Sequence, residues 1–266
     1  VSVRIAVTTP LEPSPAELTA ARAAADRWGM VFEERGRRAL EEVRSEGSAD
    51  GVLVLSGQRA ALFVGGSTHA WSPGMGALRA KRVARQLAEG ARANGADRDP
   101  FFDAADIRPG DAVLDCTLGL GADALVAAVA VGSTGRVTGV EGSVALAAWA
   151  GEGLARSRLP GAERIDVRAG DHGVLLRSLP DRSFDVVLFD PMFRHARAEP
   201  GGFELVRRLA DPRPLDPETL SRARRVARRW VVVKDGAPGW DLARLGLTPL
   251  PSARGAHRYY ARVPAF

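Results

Sequence analysis

Cysteine occurs once, as Cys116, in 266 residues, so no disulfide can form within the chain. The four histidines stand in no metal-ligand spacing with it, and a structural zinc or other metal site is not expected. No run approaches the roughly 20 consecutive apolar residues that span a bilayer. The opening Val1-Ser2-Val3-Arg4 lacks a basic-then-apolar leader pattern, so a soluble, cytoplasmic protein is expected. Lysine is nearly missing: Lys81 and Lys234 are the two among 37 basic residues, so almost every positive charge is an arginine. What is abundant is core material, with 45% hydrophobic and 26% charged residues, unlike a disordered tail.

The net charge of +5 is unevenly placed. From Arg194 to Arg229, ten arginines stand against five acids (Glu199, Glu204, Asp211, Asp216 and Glu218), a local +5 that leaves the rest of the chain neutral. Such a block can grip phosphates with paired guanidinium donors. It can equally be a solvated helix face around Arg222, Arg224, Arg225, Arg228 and Arg229, and composition does not choose between the two.

Two patterns divide the chain. Up to residue 98, strands at 3–8, 31–34, 51–56 and 60–64, a helix at 13–28 capped by Ser14, and an amphipathic helix at 77–93 predict a small α/β unit. From residue 99 to 266, strands at 112–115, 136–141, 165–169, 184–189 and 230–234 alternate with helices at 122–130, 143–156, 171–178 and 216–228. That alternation predicts a doubly wound, mostly parallel α/β sheet, closed by an antiparallel edge hairpin within 245–263. Ligands of such sheets lie beyond the carboxyl ends of the strands, which directs attention to the residues just after each one.

After the strand at 112–115 comes Asp115-Cys-Thr-Leu-Gly119-Leu-Gly121-Ala-Asp123. Two glycines one residue apart let the backbone turn sharply and approach a ligand, and Gly119-x-Gly121-x-x-Ala124 meets the loose dinucleotide fingerprint. Asp115 argues against a diphosphate there and for the ammonium group of S-adenosylmethionine. Glu141, about 20 residues past the glycines, suits the hydroxyls of an adenosine ribose. Asp171 either accepts from an adenine amine or caps the helix that starts there. Cys116, beside the loop, reads as a small buried side chain.

The fourth strand of this series leads into Asp190-Pro191-Met192-Phe193. A carboxylate and a free carbonyl can accept from a planar exocyclic amine while an aromatic ring stacks on the base, an arrangement suited to methylating that amine. Lys234, at the end of the fifth strand, either meets a substrate phosphate or pairs with the neighbours of Asp235 at the sheet edge. His195 is either a proton carrier or an exposed loop residue. Tyr259 and Tyr260 alternate faces, one toward the core.

The combination D-C-T-L-G-L-G-A-D (115–123), D-P-M-F (190–193) and V-V-V-K (231–234) resembles the class I S-adenosylmethionine-dependent methyltransferases of the small-subunit ribosomal RNA methyltransferase J family. Phe63-Val-Gly-Gly66 and Gly255-Ala-His-Arg258 extend the likeness over most of the chain after residue 50. The resemblance implies transfer of a methyl group to N2 of a guanine in ribosomal RNA. On that likeness Asp115, Thr117, Gly119, Gly121, Asp123, Glu141, Asp171 and Asp190 hold the cofactor. Asp190, Pro191 and Phe193 act on the amine, and Met192, Arg194, His195, Arg197 and Lys234 contact substrate. The residues at 1–98 are expected to help dock RNA. The family loop continues D-P-M-F-P-H-K, whereas Arg194, His195 and Ala196 follow here, with Arg197 able to replace the missing lysine. Competing readings are a small-molecule methyltransferase on the same scaffold, a non-catalytic RNA-binding or assembly factor, and an NAD-dependent oxidoreductase.

Overall fold

The computed structural model describes residues 3–90, 98–191, 203–251 and 257–266. Met192, Phe193, Arg194, His195 and Arg197 lie outside the described residues.

The amino-terminal strands β1 (Ile5–Thr8), β2 (Val31–Phe32), β3 (Gly51–Ser56), β4 (Arg59–Val64) and β5 (Ser67–Ala70) form one sheet in the order β2-β1-β3-β4-β5. β1 runs parallel to β2 and β3, while β3, β4 and β5 form an antiparallel meander. Helix α1 (Pro15–Trp28) starts at Ser14, whose hydroxyl accepts from the Glu17 N–H while Glu17 reaches back, a complete capping box. The short α2 (Leu40–Glu46) precedes β3, and α3 (Gly76–Glu89) follows β5.

The second sheet is built from β6 (Ala112–Asp115), β7 (Arg136–Glu141), β8 (Ile165–Ala169), β9 (Phe184–Phe189), β10 (Ala227–Gly236) and β11 (Arg258–Pro264). Its order is β11-β10-β9-β6-β7-β8; all neighbours are parallel except the β10–β11 pair. The expected edge hairpin is, among the described residues, this single strand paired with β10. After β6 the chain winds to one side through β7 and β8, then returns to the other through β9 and β10. The crevice between the carboxyl ends of β6 and β9 is therefore a topological switch point.

Helices α4 (Pro100–Ala105), α5 (Ala122–Val131), α6 (Val144–Arg156), α7 (His172–Ser178), α8 (Phe203–Leu209), α9 (Pro217–Val226) and α10 (Trp240–Arg244) complete the fold. α6 is buried from Ala145 to Leu154, a stretch that is apolar or glycine except for Glu152. It lies between the two sheets, and one core cluster joins Ile5, Leu53 and Leu62 to Leu146 and Trp149. Trp28 Nε1 donates to the buried Glu152 Oε1 at 2.8 Å, and Arg156 Nε donates to the Ser56 carbonyl at 3.2 Å. α3 packs on α5 so closely that a Cβ on Gly76 would stand 2.7 Å from the Ala122 Cα.

Candidate active site

At the switch point lies a cavity of about 1030 Å³. Asp115, Thr117, Gly119 and Asp123 from the β6–α5 turn, Glu141 from β7, Asp190 and Pro191 after β9 and Lys234 from β10 all line it. The parallel register brings them together: Asp115 stands level with Gly139 and Leu188, and Lys234 lies one residue beyond the Val233–Phe189 pair.

The turn needs its glycines. Gly119 and Gly121 have φ of 55° and 83°, a left-handed backbone that side chains with a Cβ disfavour. Space above Gly119 is open, with the Thr117 carbonyl at 4.0 Å the nearest atom to a hypothetical Cβ. A ligand can therefore rest against bare backbone. Glu141 anchors the turn by accepting from the Gly119 N–H at 3.0 Å with Oε2 and from the Ser143 N–H at 3.0 Å with Oε1. A carboxylate has about four lone-pair positions, so room for further acceptance remains. Cys116 is fully buried with its thiol pushed up by burial, a packing residue rather than a nucleophile.

The surroundings shift the acids in different directions. Asp115 is buried and accepts from the Thr117 N–H at 3.0 Å. Desolvation, opposed by that N–H and reinforced by Asp123 and Asp190, pushes its carboxyl up to about 8. Burial also raises Glu141, against the N–H groups it accepts from. Burial would raise Asp123 too, but Lys234 and then Arg79 outweigh it and hold Asp123 below the ordinary carboxylate range. Lys234 Nζ donates to Asp123 Oδ2 at 2.9 Å and to Asp190 Oδ2. Asp190 is 31% exposed at its side chain; burial raises it, against the Lys234 charge. Its own N–H donates to Thr117 Oγ1 at 2.6 Å, tying the ends of β6 and β9 together.

Other expected residues sit differently. Gly121 is turned inward as the cap of α5, and a Cβ there would stand 3.0 Å from a Leu154 methyl. Asp171 caps α7, accepting from the Val174 N–H at 2.8 Å, and pairs with Arg213 at 2.6 Å. Its neighbour His172 lines the cavity instead, edge-on to Phe189 with ring centroids 5.6 Å apart. Burial lowers its imidazole pKa, favouring the neutral ring. Tyr260 is the buried member of the tyrosine pair and faces the same cavity.

Sequence reasoning also missed Arg79 and Asp99, which close the cavity floor. Arg79 pairs with Asp123 through one nitrogen and grips Asp99 with two others, at 2.8 and 3.1 Å. The Arg79–Asp123 pair spans 44 residues, and no local pattern announces it.

The arginine block is largely compensated among its described members. Arg213, Arg222, Arg225, Arg228 and Arg229 pair with Asp211, Glu218, Asp181, Asp185 and Asp111. Arg224 lies over the Phe266 ring at 3.9 Å and donates to the Pro264 carbonyl.

Residues 68–244 match the family model described as "Putative SAM-dependent methyltransferase". The chain belongs to this S-adenosylmethionine-dependent methyltransferase family. The methyltransferase is 33% identical over 237 residues to "Uncharacterized protein YpiP" of Bacillus subtilis (strain 168), covering 86% of this chain and 88% of that one. It is 35% identical over 226 residues to "Ribosomal RNA small subunit methyltransferase J" of Halorhodospira halophila, covering 80% and 79%. A SAM-dependent methyltransferase from Neisseria gonorrhoeae shares the fold at a TM-score of 0.60 and 19% identity, over 98% of this chain and 96% of that one. S-adenosylmethionine is the cofactor the family and fold imply, and the open glycine cradle flanked by Asp115 and Glu141 fits it. No described helix is long and apolar enough to cross a membrane.

Proposed function

We propose that the methyltransferase acts on the exocyclic amine of a guanine in ribosomal RNA. The observation that carries this reading is Asp190-Pro191 at the cavity wall, joined through Thr117 to the glycine turn. It is supported by the relative whose name states small-subunit ribosomal RNA methylation.

In this reading Asp115, Thr117, Gly119, Asp123 and Glu141 would hold the cofactor, with Gly121 shaping the turn and Asp171 capping α7 so that His172 lines the same cavity. When bound, S-adenosylmethionine supplies an electrophilic methyl group on a sulfonium. Asp190 accepts one amine N–H and the Pro191 carbonyl the other, which aims the nitrogen lone pair at the methyl carbon. The amine would take the methyl group that the bound sulfonium supplies, and Asp190 would accept the proton the amine then loses and pass it to water. Phe193 stacks on a base drawn out of its helix, and Met192, Arg194, His195 and Arg197 meet the flanking nucleotides. Lys234 acts on substrate through Asp190 rather than by touching a phosphate. Residues 1–98 form the unit that docks RNA and residues 99–266 the catalytic one, working in the cytoplasm where ribosomal RNA is found.

Mass spectrometry of ribosomal RNA nucleosides from cells with and without the protein tests the proposal. Loss of an N2-methylguanosine supports it; an unchanged nucleoside profile overturns it. Retained turnover on a small amine would favour a small-molecule substrate, a reading for which the compensated arginine block speaks.

A further inference from the structure

We infer that Lys234, Asp123, Arg79 and Asp99 are positioning residues that hold Asp190 in one orientation and one charge state for the amine. The inference rests on the role given to Asp190 above.

The five side chains form a row of alternating charge at the cavity floor, Asp190, Lys234, Asp123, Arg79 and Asp99, drawn from the residue after β9 and from β10, α5, α3 and the α4 cap. Lys234 is 10% exposed and directs two of its three N–H donors at Asp123 and Asp190. Lys234 occupies Oδ2 of Asp190, and among the described residues no hydrogen-bond donor is placed on Oδ1, the oxygen this reading gives to the amine. The Asp190 backbone is pinned separately by Thr117. Asp123 cannot swing away, since its second oxygen is held by Arg79. Arg79 is fixed in turn by two bonds to Asp99, a fully buried carboxylate that also accepts the N–H groups of Phe101 and Phe102 at 3.1 Å each. The Asp99 N–H donates to Gln86 Oε1 at 3.1 Å. Every link is thus braced by another element.

Buried ion pairs seldom add net stability compared with well-packed apolar residues, so their value here lies in geometry. Three carboxylates against two cations also leave one negative charge at the floor, in keeping with a cationic methyl donor. The charged groups that face Asp190 are Lys234, Asp123 and Asp115, with Arg258 from β11. Removing the Lys234 charge leaves Asp190 beside two acids and raises its pKa. The acidic limb of the pH–rate profile then moves to higher pH.

The scarcity of lysine makes the test direct. Protein labelled with ¹³C and ¹⁵N at lysine alone gives two ammonium signals, assigned with Lys81→Arg. With no cofactor present, the Lys234 signal is expected to stay protonated beyond the pH at which a free lysine ammonium loses its proton, and to move on Asp190→Asn and on Arg79→Gln. In parallel, transfer of labelled methyl from S-adenosylmethionine is measured on ribosomal RNA from cells lacking the protein. Arg79→Gln is expected to lower kcat about tenfold and shift the acidic limb upward, with KM for S-adenosylmethionine changed less than about threefold. Lys234→Met is expected to lower kcat by about a hundredfold or more, and Lys234→Arg to recover part of it. Thermal melts identify any variant that fails to fold, and Arg79→Gln with Lys234→Arg then carries the kinetic arm. A Lys234 signal that titrates as a free lysine does, or a folded Arg79→Gln protein with the unaltered pH profile, overturns the inference. If the unaltered protein transfers no methyl to that RNA, the substrate reading fails, while the lysine signals still decide whether the row of charges holds Asp190.

Discussion

Asp115 ends β6 and Asp190 follows β9, the adjacent strand, and both line one cavity, yet their surroundings differ. Burial pushes Asp115 up to about 8, above its ordinary value of 3.8. A carboxyl raised on folding keeps its proton while the unfolded chain ionises. Its contribution to stability is therefore full below about 3.8 and is lost as the pH rises toward about 8. A cation seated beside Asp115 reverses the preference. S-adenosylmethionine affinity is thus expected to rise with pH up to about 8, with release of a proton on binding, as titration calorimetry in buffers of different ionisation enthalpy would register. Asp115→Asn should flatten that dependence; an unaltered slope would place the ammonium group elsewhere. Asp190→Asn keeps the shape and loses the charge, so kcat should fall by about 10² to 10⁴ while cofactor affinity is retained.

At the scale of elements, the glycine turn and the buried helix α6 set the tolerances. An alanine at Gly121 adds the left-handed cost of about 1–2 kcal/mol and presses on Leu154. Gly121→Ala should lower the denaturant midpoint and weaken cofactor binding together. A Cβ on Gly153 would overlap the Trp71 indole, so Gly153→Ala is expected to destabilise by about 1–3 kcal/mol through overpacking, without touching the cavity. The parallel strands β6, β7 and β9 were legible because each is a short valine-bearing run with an acid at its last position or just beyond it, and α1 was legible from Ser14 and Glu17. β5 was not: its Ser-Thr-His-Ala sequence is polar and mostly exposed at a sheet edge, and it reads as loop. The helices α2, α4, α8 and α10, of five to seven residues, are too short to show a 3.6-residue period. Asp115, Glu141 and Asp190 were visible because strand ends are the informative positions of this architecture. Arg79 and Asp99 were not, since an ion pair between α3 and the α4 cap exists only once the chain has folded.

Across the whole molecule, the two sheets share α6. The cluster from Ile5 to Leu209, the Trp28–Glu152 hydrogen bond and the Arg156–Ser56 contact all cross between them. The methyltransferase is therefore expected to unfold in one transition, coincident by far-UV circular dichroism and tryptophan fluorescence; two separated transitions would show that the shared helix does not couple the sheets. On the proposed function, the crevice between β6 and β9 seats the methyl donor with its ammonium group at Asp115 and its sulfur toward Asp190. A crystal structure with bound S-adenosylhomocysteine tests this most directly. The expected result is an amino group within hydrogen-bond reach of Asp115, a ribose at Glu141 and a sulfur facing Asp190 and Pro191. A ligand seated outside this crevice, or with its sulfur turned from Asp190, would contradict the account.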